Sequence, residues 1–228
     1  MFWQESPPQK TSLDASDVVD LVFKISGQTL PIDHAYALFD ALARPLPWIQ
    51  QDKWVGIHPV HIAESGNGWI RPDDSGFLQL SGRARLVVRL HQDTLESARL
   101  LCGDHIAVND QIIEIGSANV RPLNPLNTVL ARHIVADEDV PDETTFLQWV
   151  NEQLKGLGIT PTKLLCGKTR FVRTPTKTLT TRSLMIADLK PGESLSIQQF
   201  GLGEERKLGC GLFLPHRGID AVYDSTSA

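Results

Sequence analysis

The sequence predicts an α+β fold built from two consecutive ferredoxin-like units, each with the element order β-α-β-β-α-β. Three observations predict it. Short runs alternating apolar and polar residues are interleaved with stretches whose apolar residues recur at helical spacing. That order occurs once before and once after the linker Arg121-Pro122-Leu123-Asn124-Pro125. A length of 228 residues accommodates two small domains.

The first unit opens with Val18 to Ile25, where Val19, Leu21, Phe23 and Ile25 alternate inward as in a strand that Gly27 and Pro31 end. A helix follows with Asp33 as its N-cap and Ala35, Leu38, Phe39 and Leu42 on one apolar stripe, stopped by Pro45 and Pro47. Trp54 to Ile57 is a short strand, and the Gly-, Asp- and Ser-rich stretch from Glu64 to Ser81 a loop or ragged hairpin. The run RARLVVRL is the next strand, with Leu86, Val88 and Leu90 on one face and Arg85, Val87 and Arg89 on the other. Asp93 and Glu96 have capping-box spacing for a short helix. Ile106 to Val120 is strand-rich and turns at Val108-Asn109-Asp110-Gln111.

The second unit repeats the order without repeating the letters. Val129 to Val135 is a strand, and Asp142 caps a helix bearing Phe146, Leu147, Val150 and Leu154. Thr169 to Thr174 and Thr178 to Ile186 form a hairpin, Pro191 to Phe200 a helix, and Gly211 to Leu214 the closing strand. The domains expected are 17–124 and 125–216, with polar tails at 1–16 and 217–228.

Composition excludes several classes. With 41% apolar and 21% charged residues the chain can bury a core, and it has no apolar run long enough to cross a bilayer. The N-terminus lacks the basic start and apolar stretch of a signal peptide. Cys102, Cys166 and Cys210 are isolated, which suits buried, reduced thiols in a cytoplasmic protein and neither a disulfide nor a metal site. The net charge of −5 argues against nucleic acid, but the charge is unevenly distributed. Residues 1–150 hold 11 Lys and Arg against 20 Asp and Glu; residues 151–228 hold 11 against 7. Lys163, Lys168, Arg170, Arg173, Lys177, Arg182 and Lys190 surround the single acid Asp188. Such a segment is either a local polyanion site or a solvated hairpin.

Near the C-terminus, Gly201-Leu202-Gly203-Glu204-Glu205-Arg206-Lys207-Leu208-Gly209-Cys210-Gly211 precedes the last strand. Glycines at G-x-G-x5-G-x-G spacing allow positive φ and close approach of a ligand, so that backbone amides can face phosphates. This loop resembles the glycine-rich loop of the RAMP superfamily, specifically its CRISPR repeat-processing endoribonucleases. The stretch from Asp20 to Phe23 and on to Leu30-Pro31-Ile32-Asp33-His34-Ala35-Tyr36-Ala37-Leu38, with Val55-Gly56-Ile57-His58-Pro59, is similar to the myxan-type subgroup of type I systems. The resemblance implies a tandem ferredoxin-like fold of RAMP type and binding of precursor CRISPR repeat RNA, rather than direct binding of DNA. It also implies cleavage without metal or other cofactor and, in many members, retention of the product with other subunits of an effector complex.

Cleavage of that kind needs a base for a ribose 2′-OH, an acid for the departing 5′-oxygen, and cations or amides around the phosphate. The products are a 2′,3′-cyclic phosphate and a 5′-hydroxyl. His34 is the candidate base, because the start of a helix disfavours imidazolium and keeps the ring able to accept a proton. Otherwise it only covers a helix end. Tyr36 would orient the RNA or the histidine, and His58 would serve as acid or phosphate ligand. His61 is a weaker candidate on a loop. Gly201, Gly203, Arg206, Lys207, Gly209 and Gly211 would contact phosphates, and Lys168, Arg170, Arg173, Lys177 and Arg182 would grip a stem-loop. Lys168 and Arg170 share a face at alternate spacing, and Arg173 points away from it. Two other readings share these features: a non-catalytic RAMP protein that binds or caps guide RNA, and an unrelated ferredoxin-like enzyme or interaction module.

Overall fold

The computed structural model describes residues 17–60, 76–136, 142–161 and 163–216. The tails expected at 1–16 and 217–228, most of the loop expected from Glu64, and His61 lie outside the described residues.

Strand β1 (Val18–Ser26) buries Val19, Leu21, Phe23 and Ile25 as its alternation requires, and it also buries Asp20. A short β2 (Thr29–Pro31) leads into helix α1 (Ala35–Ala43), whose buried residues are Leu38, Ala41, Leu42 and Ala43. The cap differs from expectation. His34 occupies the N-cap position with no side-chain cap bond, and the Asp33 carboxylate meets Arg173 at 3.3 Å instead of capping the helix. After Pro45 the chain makes a 3-10 turn at Pro47–Gln50 and enters β3 (Gly56–His58).

Strand β4 (Phe77–Gln79) pairs with β2, and β5 (Arg85–His91) follows. Helix α2 (Leu95–Arg99) starts later than its predicted box. A 3-10 turn at Gln92–Thr94 intervenes, and the His91 ring accepts the Asp93 amide hydrogen at 3.4 Å. Strands β6 (His105–Val108) and β7 (Gln111–Pro122) form the expected hairpin, with Asn109 at φ 52° in its turn.

The second unit contains β8 (Val129–Val135), α3 (Glu143–Gly156), β9 (Lys163–Arg173), β10 (Thr178–Ala187), α4 (Pro191–Phe200) and β11 (Phe213–Pro215). Asp142 caps α3 by accepting the Thr145 amide hydrogen at 2.9 Å. The last strand begins after Gly211, because that residue has φ 69° and directs its amide to the His133 carbonyl at 2.8 Å.

Both sheets have ferredoxin-like connectivity. The second runs β11-β8-β10-β9, all antiparallel, which places fourth, first, third and second strands in line. The first runs β3-β5-β1-β7-β6, the same arrangement with β6 added at one edge. One hydrophobic cluster includes Leu21, Phe23, Leu42, Leu86 and Ile115; a second includes Ala131, Phe146, Val150, Leu184 and Ile197. Burying each of the larger side chains stabilises the fold by roughly 1.5–3 kcal/mol. The exposure of Cys102 departs from the expectation of buried thiols, whereas Cys210 is buried and Cys166 intermediate.

The register of β10 shifts between Arg182 and Leu184 against both neighbours. An extra residue enters β9 around Gly167–Lys168, so the two-residue alternation breaks there.

Candidate nucleic-acid interface

Three elements named by the sequence meet at the start of α1. Val172 and Leu179 near the tip of the β9–β10 hairpin pack with Leu208 and Cys210 of the glycine-rich loop, against Ala35 and Phe39 of α1. Around this apolar seam the charges pair off. Arg173 meets Asp33 at 3.3 Å, and Lys177 meets Glu205 at 2.8 Å. Lys168 and Arg170 are exposed, and Arg182 is half-buried near Asp142 and Cys166.

His34 lies buried beneath this surface, with both ring nitrogens occupied. Nδ1 is 2.8 Å from the Pro31 carbonyl oxygen, to which it donates, and Nε2 accepts the Val60 amide hydrogen at 2.9 Å. Burial pushes the His34 pKa down, against the carbonyls of Pro31 and Ile32 and the Asp33 carboxylate. The imidazole is thus neutral, with its proton on Nδ1. The sequence predicts that neutrality, but its main cause is desolvation by the surrounding protein. Tyr36, two residues on, is exposed and makes an edge contact with Phe39 at 6.5 Å between ring centres.

His58 is buried as well, in a different setting. Its Nε2 has no hydrogen-bond partner among the described residues and stands 3.8 Å from Asp20 Oδ1. Burial lowers its pKa, Asp20 opposes that, and Arg89 and Arg121 add to it. His58 also lines a cleft of about 130 Å³ with Leu130, Arg132, Gly209, Leu212 and His216, where the two sheets face each other. His34 and His58 therefore contact different groups.

The sequence reading missed the centre of this seam. Asp20 on β1 and Arg89 on β5 sit opposite each other and are both buried. Arg89 donates Nε to Oδ1 at 2.8 Å and Nη2 to Oδ2 at 3.2 Å. Its Nη1 reaches the other unit, donating to the Gln198 and Phe213 carbonyls at 2.8 Å each. Arg121 adds a bond to Asp20 Oδ2 at 3.1 Å. Burial alone would raise the Asp20 pKa, but Arg89 and His58 hold the carboxyl well below the usual range. The signal was present as a charge set among apolar residues in each strand, Asp20 in VVDLVF and Arg89 in LVVRL. Arg89 is fully buried, with four of its five N–H donors bonded to one carboxylate and two carbonyls.

The glycine-rich loop is a packing element in this structure. Gly201, Gly203, Gly209 and Gly211 all have positive φ. A Cβ at Gly209 would stand 2.5 Å from Pro59 Cδ, and one at Gly201 would meet Gly211 O at 2.5 Å. The amides of Gly201, Leu202, Leu208, Gly209, Cys210 and Gly211 bond to protein carbonyls, so those of Gly201, Gly209 and Gly211 are already engaged rather than facing phosphates as expected. Arg206 donates to the Phe200 and Gln199 carbonyls at 2.5 and 3.1 Å, closing the C-terminus of α4. Burial, with Arg89 nearby, lowers its pKa to about 10. Lys207 Nζ donates to the Gln50 carbonyl of the first unit. Both cations are thus held by backbone oxygens left over at helix ends.

Solved structures with this architecture exist. One described as CRISPR associated protein Cas6 aligns with a TM-score of 0.62 at 16% identity, over 88% of this chain and 100% of that one. Another, described as an RAMP protein binding different RNA substrates, aligns with a TM-score of 0.62 at 13% identity, over 87% and 100%. At such identities the likeness carries the fold: this is a tandem ferredoxin-like protein of RAMP type. The sequence model described as Cas6 Crispr matches residues 19–218, and the chain belongs to the Cas6 family. It is 29% identical over 197 residues to the CRISPR-associated endonuclease Cas6 of Myxococcus xanthus (strain DK1622), covering 86% of this chain and 81% of that protein. The kinship expected from the glycine-rich loop and from the segments around His34 and His58 is thereby borne out.

Proposed function

We propose that this chain binds precursor CRISPR RNA and cuts it within the repeat, with residues 17–124 and 125–216 as two domains sharing one RNA surface. The observation that carries the reading, within this family, is the junction of α1, the basic hairpin and the glycine-rich loop. It sets Lys168, Arg170, Arg173, Lys177 and Arg182 on and around the hairpin beside the helix that His34 caps.

In the proposed reaction a base takes the proton of a ribose 2′-OH, and the 2′-oxygen attacks the adjacent phosphorus. The bond from phosphorus to the 5′-oxygen breaks, and that oxygen takes up a proton. The ends formed are a 2′,3′-cyclic phosphate and a 5′-hydroxyl, and no metal takes part. His34 serves as base once RNA binding draws the Val60 amide away from Nε2. Its Nδ1–H bond to Pro31 then holds the ring in the accepting tautomer. Tyr36 contacts the RNA from the exposed side of α1, and His58 supports the site from the seam. Arg206, Lys207 and the glycines hold the surface in shape. The protein acts in the cytoplasm.

Incubation with a repeat transcript in EDTA, beside a copy with a 2′-deoxy substitution at the cut, tests the mechanism. Cleavage of the first and sparing of the second is expected. Strict dependence on Mg²⁺ would sink the metal-free step. His34→Ala should bind the repeat nearly as well and cleave it orders of magnitude more slowly. The engagement of both His34 nitrogens favours a second reading, a member that binds or caps guide RNA without cutting. Tight binding without cleavage of either transcript would establish it.

A further inference from the structure

Strand β9 is an edge of the second sheet, with β10 as its neighbour on one side. Between its tip and the register shift, the two faces of the β9–β10 hairpin differ. The pairs Val172–Leu179 and Arg170–Thr181 share one face, and Val172 and Leu179 on it are buried in the seam against α1. The pairs Arg173–Thr178, Phe171–Thr180 and Thr169–Arg182 share the other. On that face Arg173, Phe171, Thr169, Thr178 and Thr180 are exposed, and Arg182 is half-buried.

Phe171 is 58% exposed at the middle of this face. A single exposed aromatic needs no explanation by itself, but its surroundings here are specific. Leu165, another exposed apolar side chain of β9, pairs with Met185 and lies on the opposite face, so among the described residues of β9 no other exposed apolar side chain shares the face of Phe171. Its cross-strand and same-face neighbours are threonine hydroxyls and two guanidiniums. An aromatic ring flanked by Arg and hydroxyl groups on a strand surface suits an unpaired nucleotide, with the base stacked on the ring and the phosphates met by cations. Arg173 is 71% exposed and its pair with Asp33 is a surface one, easily exchanged for phosphate.

We propose that Phe171 is a base-stacking residue. In this arrangement the outer face of the hairpin holds one unpaired nucleotide next to a stem, with Arg173 and Arg182 on the flanking phosphates. This rests on the RNA-binding reading above and adds to it a residue that the charge pattern alone does not reveal.

The test is binding of the repeat transcript, and of copies each carrying one abasic site among the unpaired nucleotides, to the wild-type chain and to Phe171→Ala, Phe171→Leu and Phe171→Tyr. Phe171→Ala and Phe171→Leu should bind the intact repeat at least about fivefold more weakly, with Phe171→Tyr close to wild type. At one abasic position wild type and Phe171→Ala should bind alike, because the stacking partner is already gone. The slope of log affinity against log salt should be unchanged in Phe171→Ala, since no cation is removed. Since the side chain is exposed, the variants should melt with the wild type. Equal binding of the intact repeat by wild type and Phe171→Ala overturns this proposal and leaves the RNA reading intact. Failure of the wild type to bind any repeat RNA overturns both.

Discussion

Arg89 and Asp20 form a buried two-bond ion pair, and the Nη1 hydrogens of Arg89 cross from the first sheet to carbonyls of α4 and β11. One residue thereby satisfies a carboxylate in its own sheet and two backbone oxygens in the other unit. Removing either partner leaves a buried charge without its main counter-ion, and that penalty exceeds the net worth of the pair.

Arg89→Met should therefore lower the unfolding free energy by about 3–5 kcal/mol, while Asp20→Asn combined with Arg89→Met should recover part of the loss. Urea unfolding of the two single variants and the double variant measures the coupling. Simple additivity would show that the pair does not act as a unit.

His34 makes the fold sensitive to acid. Its folded pKa lies below the ordinary 6.5, so on acidification the unfolded chain takes up the proton first. Stability contributed above pH 6.5 is lost as the pH falls towards the folded value. His58, shifted the same way, adds to the loss. The urea midpoint should drop between pH 7.5 and pH 5, and His34→Gln should flatten that drop. An equal drop in the variant would assign the effect elsewhere.

The two kinds of basic residue should separate by assay. Arg206→Met should destabilise the chain by about 1–3 kcal/mol, because the last carbonyls of α4 lose their donor. It should leave the salt slope of RNA binding unchanged. Arg170→Ala should do the opposite, with little effect on unfolding and a slope lowered by roughly 0.7–0.9 for the one phosphate contact removed.

Gly209→Ala should be more costly than a Gly→Ala change in an ordinary turn. Its φ of 80° costs an L-residue about 1–2 kcal/mol, and the new methyl meets Pro59 at the seam between the units. A total above about 2 kcal/mol in urea unfolding is expected. A smaller value would show that β3 and the loop separate easily.

Much of the architecture was readable because it depends on local chemistry. The alternation of Val19, Leu21, Phe23 and Ile25, the cap at Asp142 and the turn at Asn109-Asp110 each act within a few residues. The readings that changed depend on distant partners. Asp33 leaves its capping position for Arg173, 140 residues away. Arg206 and Lys207 look like phosphate ligands in isolation but bond carbonyls that the fold brings to them.

By itself the sequence determined two β-α-β-β-α-β units, the charge asymmetry between the halves of the chain, and kinship with the Cas6 family. Periodicity, capping and glycine spacing are written in neighbouring residues. Only the tertiary structure decided which charges are buried and paired, that His34 is neutral with both nitrogens engaged, and that Phe171 faces outward among arginines and threonines. Burial and pairing are properties of residues brought together from far apart in the chain, and a side chain's chemistry follows from what surrounds it.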